Sequence, residues 1–166
     1  MMSSLTVTAM SELVIRKACD VDFGDIYALE QKCFADPWSA NMFDSFKRSN
    51  VTEAAVAELD GTICGFACIY VFDGTPECPC GDTELADIAV EPGCRRMGIA
   101  KKLLEHVYVR SKERFCSNVF LEVRESNTAA RGLYESEGFC VTGRRKNYYA
   151  SPREDAVLMK KELTAK

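Results

Sequence analysis

Histidine is nearly absent from this sequence, with His106 alone, and Trp38 is its only tryptophan. One histidine, and no second cysteine pair at zinc-ligand spacing beyond Cys78-Pro79-Cys80, exclude the common zinc sites. No metal is expected: Cys78 and Cys80 read as part of a flexible loop, the other cysteines as small hydrophobes. No apolar run approaches the ~20 residues that cross a bilayer, so no membrane partner is expected. Nor does a charged segment followed by an apolar one precede the first periodic stretch. The cysteine count of nine is odd, and together these predict reduced thiols and a cytoplasmic location. Excess positive charge is missing as well. Lys and Arg number 21 against 25 Asp and Glu, for a formal net charge of −4, which argues against a general nucleic-acid binder. There is no internal repeat and no linker.

What is present fits one core. At 166 residues and 47% hydrophobic content the chain predicts a loose tail over 1–12 and a single domain over 13–166, acting as a monomer or weak oligomer. Leu13 to Arg16 read as a first strand, and Asp20 as the cap of a helix through Phe23, Ile26, Leu29 and Phe34. Ser39 caps a second helix with Met42, Phe43 and Phe46 on its apolar side. Ala54–Leu59 and Ile63–Phe72, separated by Asp60-Gly61, read as a hairpin. A loop rich in Pro and Gly leads to a strand over Glu84–Val90. A helix from about Met97 to Phe115 and a strand over Val119–Val123 follow, an order that implies a right-handed crossover and parallel pairing. Ser126 or Asn127 caps a fourth helix, which stops at Gly138. Two last strands, Phe139–Thr142 and Ala156–Leu163, are joined by GRRKNYYASPRED, read as a loop. The class is α/β (α+β): a mixed, mostly antiparallel sheet with one parallel pair and about four helices.

Within this order one stretch suggests chemistry. Ile88-Ala89-Val90 ends a strand, Pro92 and Gly93 break it, Arg95 and Arg96 follow, and Gly98 opens a helix. Backbone N–H groups at such a helix start can hold a phosphate, although the same residues also suit an ordinary helix entry with solvated arginines.

Arg95-Arg96-Met97-Gly98-Ile99-Ala100 fits the pattern Q/R-x-x-G-x-G/A, and LEVRESNTAARGLYESEGF and NYY follow downstream. On these residues, from about Leu13 to Leu163, the chain resembles the GNAT superfamily of N-acetyltransferases. PWS at Pro37–Ser39, LEVR at Leu121–Arg124 and RRKNYY make it most similar to the RimI-type enzymes, which acetylate the amino-terminal alanine of a ribosomal protein. The ending KNYYASPREDAVLMKKEL also resembles catalytic subunits of eukaryotic amino-terminal acetyltransferases, where the L-E-V of this chain is usually L-H-V.

The resemblance implies a GNAT fold with the parallel pair at an acetyl-CoA site. It also implies direct transfer, in a ternary complex, to the α-amine of a protein starting with Ala or Ser, a ribosomal protein being the expected acceptor. Lysine or small-molecule amine acetylation, and a non-catalytic CoA-binding module, are the alternatives. By the same resemblance Arg95, Arg96, Met97, Gly98, Ile99, Ala100 and Lys101 would wrap the pyrophosphate. Ile88, Ala89 and Val90 would lie along the pantetheine arm, with the amide of Ala89 or Val90 polarising the thioester. Asn127 would touch the cofactor while capping its helix. Glu122 is the expected general base, since desolvation in a cleft makes a carboxylate a better proton acceptor, and Glu84 stands in reserve. Tyr134 is the expected general acid and a cofactor contact. For the acceptor peptide the candidates are Asn147, Tyr148, Tyr149 and Trp38, the last reading equally well as a packed anchor. Arg144, Arg145 and Lys146 either read acidic residues of the acceptor or are simply solvated.

Overall fold

The structure is a computed structural model that describes residues 11–163. In chain order it runs β1 (Leu13–Lys17), α1 (Phe23–Cys33), α2 (Ala40–Arg48), β2 (Thr52–Leu59), β3 (Thr62–Phe72), β4 (Gly81–Val90) and α3 (Ile99–Glu113). It continues with β5 (Cys116–Arg124), α4 (Thr128–Ser136), β6 (Cys140–Ala150) and β7 (Arg153–Glu162). The strands form one sheet in the order β1-β2-β3-β4-β5-β7-β6, and only β4 and β5 pair in parallel. The α3 crossover between them meets the requirement that parallel neighbours be joined by a long connection.

Alternation along the strands feeds two cores. One face sends Ala54, Val56, Phe66, Cys68 and Ala89 against Ile26, Leu29, Phe43 and Phe46 of α1 and α2. The other sends Val119, Leu121, Val123 and Val157 against Leu103, Leu104 and Val107 of α3 and Tyr134 of α4. The helix caps follow the local sequence: Ser39 accepts the Met42 N–H at 3.3 Å, and Asn127 Oδ1 accepts the Ala130 N–H at 3.1 Å.

Three local expectations are corrected. Asp20 does not cap α1; it opens a one-turn 3-10 helix, and α1 begins at Phe23. The nearby carboxylate that matters is Asp22, which binds Arg16 at 2.7 Å and the Cys19 N–H at 2.7 Å. The expected loop holding Asn147, Tyr148 and Tyr149 is strand, because β6 runs on to Ala150. Asn147 takes a left-handed φ of 52° and gives its N–H to Asp155 at 2.9 Å, so the irregularity is absorbed as a bulge and the pairing resumes at Tyr149. The helix expected from Met97 starts at Ile99, since Gly98 occupies a left-handed φ of 75°. Residues 1–10 of the expected tail lie outside the described residues. Glu12 exchanges hydrogen bonds with Asp60.

Candidate active site

The site is a gap in the sheet. β4 and β5 pair only as far as Leu85 opposite Leu121. Ala86 is an extra residue in the β3–β4 ladder, and the bulge turns the end of β4 away from β5. Beyond it, Asp87–Val90 stay paired with β3, while Glu122–Arg124 stay paired with β7.

Register decides which amides look into the gap. The Glu91 N–H donates to Cys64 O at 2.8 Å, and in an antiparallel ladder such pairs alternate. Ala89 therefore spends its N–H on β3, while Ile88 and Val90 turn theirs toward the gap. Val90 O, on the same edge, accepts Arg95 Nε at 3.1 Å, and the Ile88 N–H goes to Asp87 Oδ1 at 2.8 Å. The side chains of Ala89 and Val90 are buried in the two cores.

Past the open end of the gap, beyond Val90, lies the turn into α3. Arg96 and Gly98 are both left-handed, with φ of 65° and 75°, and the first bond within the helix is Lys102 N–H to Gly98 O at 3.1 Å. The amides of Ile99, Ala100 and Lys101 thus precede the helical ladder, as in an anion cradle. Ile99 buries its side chain, so it can offer only its N–H. Arg96 and Met97 are exposed; Lys101 lies 3.4 Å from Glu137, the residue that ends α4. These groups fit a phosphate-bearing cofactor.

The apex of the gap, where β4 and β5 part, holds the titratable groups. Glu122 leaves β5 on the α1–α2 face and meets Arg145 Nε at 3.1 Å. Arg145 stands opposite Ala156, and its long side chain reaches across β7 over that small residue. Tyr148 lies beside Glu122, and burial together with that carboxylate raises the Tyr148 pKa. Tyr149 is pushed up to about 12 by burial first and Glu122 second, and its ring carries the Arg124 guanidinium at 4.1 Å. Glu84, the reserve base, shares with Glu122 and Arg145 a cleft of about 330 Å³, and burial plus Glu122 lift its pKa. Tyr134 approaches from the α3–α4 face, packed on Phe139 at 5.6 Å. Burial, then Asp87 and Tyr149, raise its pKa, so its phenol keeps its proton.

The structure therefore brings Glu122, Tyr148, Tyr149 and Arg145 together, with Tyr134 behind them. Arg145 is largely exposed yet pairs with Glu122, and Arg144, also exposed, pairs with Glu125. Trp38 is a packed anchor on Phe43 and Phe46, with ring centroids at 5.2 and 5.7 Å. Asn127 caps α4, and Asn147 is exposed at the bulge. Two residues were missed, Glu30 and Asp87; the signal was a carboxylate within an otherwise apolar pattern, in ALEQ and DIAV. Among the described residues no three His, Cys, Asp or Glu side chains are grouped to hold a metal.

A sheet opened between two parallel strands, with a helix start following the splayed end of the first, defines the acyl-CoA-dependent N-acyltransferase class. The chain belongs to the acetyltransferase (GNAT) family, whose family model matches residues 23–139. It is an acetyl-CoA-dependent N-acetyltransferase. The [ribosomal protein bS18]-alanine N-acetyltransferase of Escherichia coli K12 is 35% identical over 140 residues, spanning 83% of this chain and 89% of the relative. The Haemophilus ducreyi protein of that name is 33% identical over 149 residues, 88% and 97% of the two chains. Among solved structures, the ribosomal-protein-S18-alanine N-acetyltransferase from Escherichia coli superposes with a TM-score of 0.81 at 31% identity, covering 93% of this chain and 96% of the other. The NatC complex bound to Gag peptide and CoA gives 0.78 at 25% identity, covering 92% and 99%.

Proposed function

We propose that the protein acetylates the α-amine of proteins whose first residue is small, Ala or Ser, and that a ribosomal protein is its acceptor. The observation that carries this reading is the grouping of Glu122, Arg145, Tyr148 and Tyr149 at the apex of the gap, where β5 parts from β4. The printed name of the Escherichia coli relative supports the choice of acceptor.

Acetyl-CoA supplies the activated acyl group. Val90 is the donor that polarises the carbonyl, because the register commits the Ala89 N–H to β3. Glu122 accepts the proton of the incoming amine, with Arg145 and Tyr148 fixing the carboxylate. An α-amine, with an ordinary pKa of about 7.7–8.0, gives up that proton far more readily than a lysine at about 10.4. Tyr134 holds the proton that the departing sulfur needs. Ile88, Arg95, Arg96, Met97, Gly98, Ile99, Ala100, Lys101 and Asn127 make up the cofactor surface. Asn147, Tyr148 and Tyr149 form the acceptor side, and Trp38 is the packed anchor against α2. The nine free cysteines suit a single-domain, monomeric or weakly associating protein of the cytoplasm. Among the described residues no helix is long and apolar enough to cross a membrane.

The test is to incubate the protein with acetyl-CoA and a mixed library of free-amine peptides and amino-terminally blocked lysine peptides, and to locate acetylation by mass. Acetylation at the α-amine of Ala- and Ser-starting members is expected. Acetylation confined to the blocked lysine peptides would assign the lysine reading instead, and CoA binding without any transfer would assign a binding module.

A further inference from the structure

Glu30, on α1, is 1% exposed. Its Oε1 accepts the Trp38 N–H at 2.8 Å, but its Oε2 is buried with no protein donor. A buried acceptor left without a donor is costly. The side chain that meets Glu30 is a second carboxyl, Asp87 of β4. Two carboxyls bond each other only if one carries a proton. Asp87 Oδ1 already accepts the Ile88 N–H at 2.8 Å, which leaves its other oxygen for that proton.

We infer that Asp87 is a neutral carboxylic acid at neutral pH that donates to Glu30, and that this one-proton pair is a positioning device for the gap. It joins the Trp38 segment, α1 and the gap-facing amide of Ile88 through one chain of hydrogen bonds. Burial and the adjacent Glu30 hold Asp87 well above the usual carboxylate range. Burial raises Glu30 as well, and the bond between them favours the proton on Asp87. The groups facing the pair from the surrounding elements reinforce this. Cys68 of β3, Cys33 of α1 and Tyr134 of α4 bring no positive charge. The cations on these elements are engaged elsewhere: Arg95 on Val90 O, Lys32 on Glu91, Arg131 on Glu125 O.

As pH rises, loss of the shared proton sets two anions against each other and releases the Ile88 amide edge. This inference rests on reading the gap as the acyl-carrier site, so its test has a part that does not. With aspartate carrying a 13C carboxyl, the infrared stretch of a protonated Asp should be present at neutral pH in the wild type. It should disappear on alkaline titration and be missing in Asp87→Asn. In the transferase assay Asp87→Asn, whose amide donates to Glu30 and accepts from Ile88 at every pH, should stay within about threefold of wild type and lose the alkaline decline in kcat/KM. Asp87→Ala, which leaves Glu30 buried and unpaired, should fall by about tenfold or more. Absence of the protonated-Asp band overturns the inference, as does an Asn variant that is no better than Ala. Should Asp87→Ala fail to fold, the band and the Asn pH profile still decide. A band without any transferase activity would leave the proton pair standing and remove only the functional reading.

Discussion

Glu122→Gln keeps a side chain that can accept from Arg145 but removes the proton acceptor. The expected result is a fall in kcat of about 10²–10⁴-fold, with acetyl-CoA affinity unchanged, measured by steady-state kinetics on an Ala-starting peptide and by equilibrium titration. Tyr134→Phe should behave alike, because only the phenolic hydroxyl is lost; full activity in both variants would remove these two roles while leaving the family assignment intact. A second residue-scale prediction concerns stability. Arg16 holds the Asp22 carboxyl, 5% exposed, well below the usual carboxylate range. A carboxyl lowered on folding stabilises the protein above its unfolded pKa, about 3.9, and that contribution disappears as pH falls through the folded value. Asp22→Asn should therefore lower the urea midpoint at neutral pH, and the difference from wild type should narrow below about pH 4. A gap that is constant with pH would contradict the assignment. Glu122 and Tyr134 were named from the sequence by the resemblance of L-E-V and LYESEGF to the family's motifs, and the Gln and Phe variants test their roles. Arg145 as the partner of Glu122 was not legible there, since β7 lies between their strands and only the closed sheet brings them within reach.

At the level of elements, the turn into α3 depends on Gly98. Nothing lies within 4 Å of where its Cβ would be, so the constraint there is the left-handed backbone and not space. Gly98→Ala should cost about 1–2 kcal/mol of stability and weaken acetyl-CoA binding more than it lowers kcat at saturation. Denaturant melts and a cofactor titration check the two halves of that statement. Element order, the parallel pair and the Ser39 and Asn127 caps could be read from hydrophobic period and capping residues, whereas the Asp20 cap could not. The extension of β6 through Asn147 could not. A polar stretch without alternation reads as loop, and what keeps it in the sheet is the Asp155 carboxylate on the neighbouring strand.

For the whole molecule, the gap divides the sheet into a β1–β4 part and a β5–β7 part that share only the short parallel ladder. A ligand held between the separated strands should tie the two together. Acetyl-CoA at 100 times its dissociation constant should add about 2.7 kcal/mol, which raises Tm by roughly 5–10 °C for a chain of this size. Differential scanning fluorimetry against cofactor concentration measures this, and an unmoved Tm would remove the gap as the site. The sequence by itself determined most of the elements, the two-sided hydrophobic pattern and the glycine turn into α3, because period, capping and glycine backbone freedom act over a few neighbouring residues. The tertiary structure alone decided which amides face the gap, that Arg145 answers Glu122, and that Glu30 and Asp87 share a proton. Those depend on register, on a bulge at Ala86 and on side chains meeting from elements far apart in the chain.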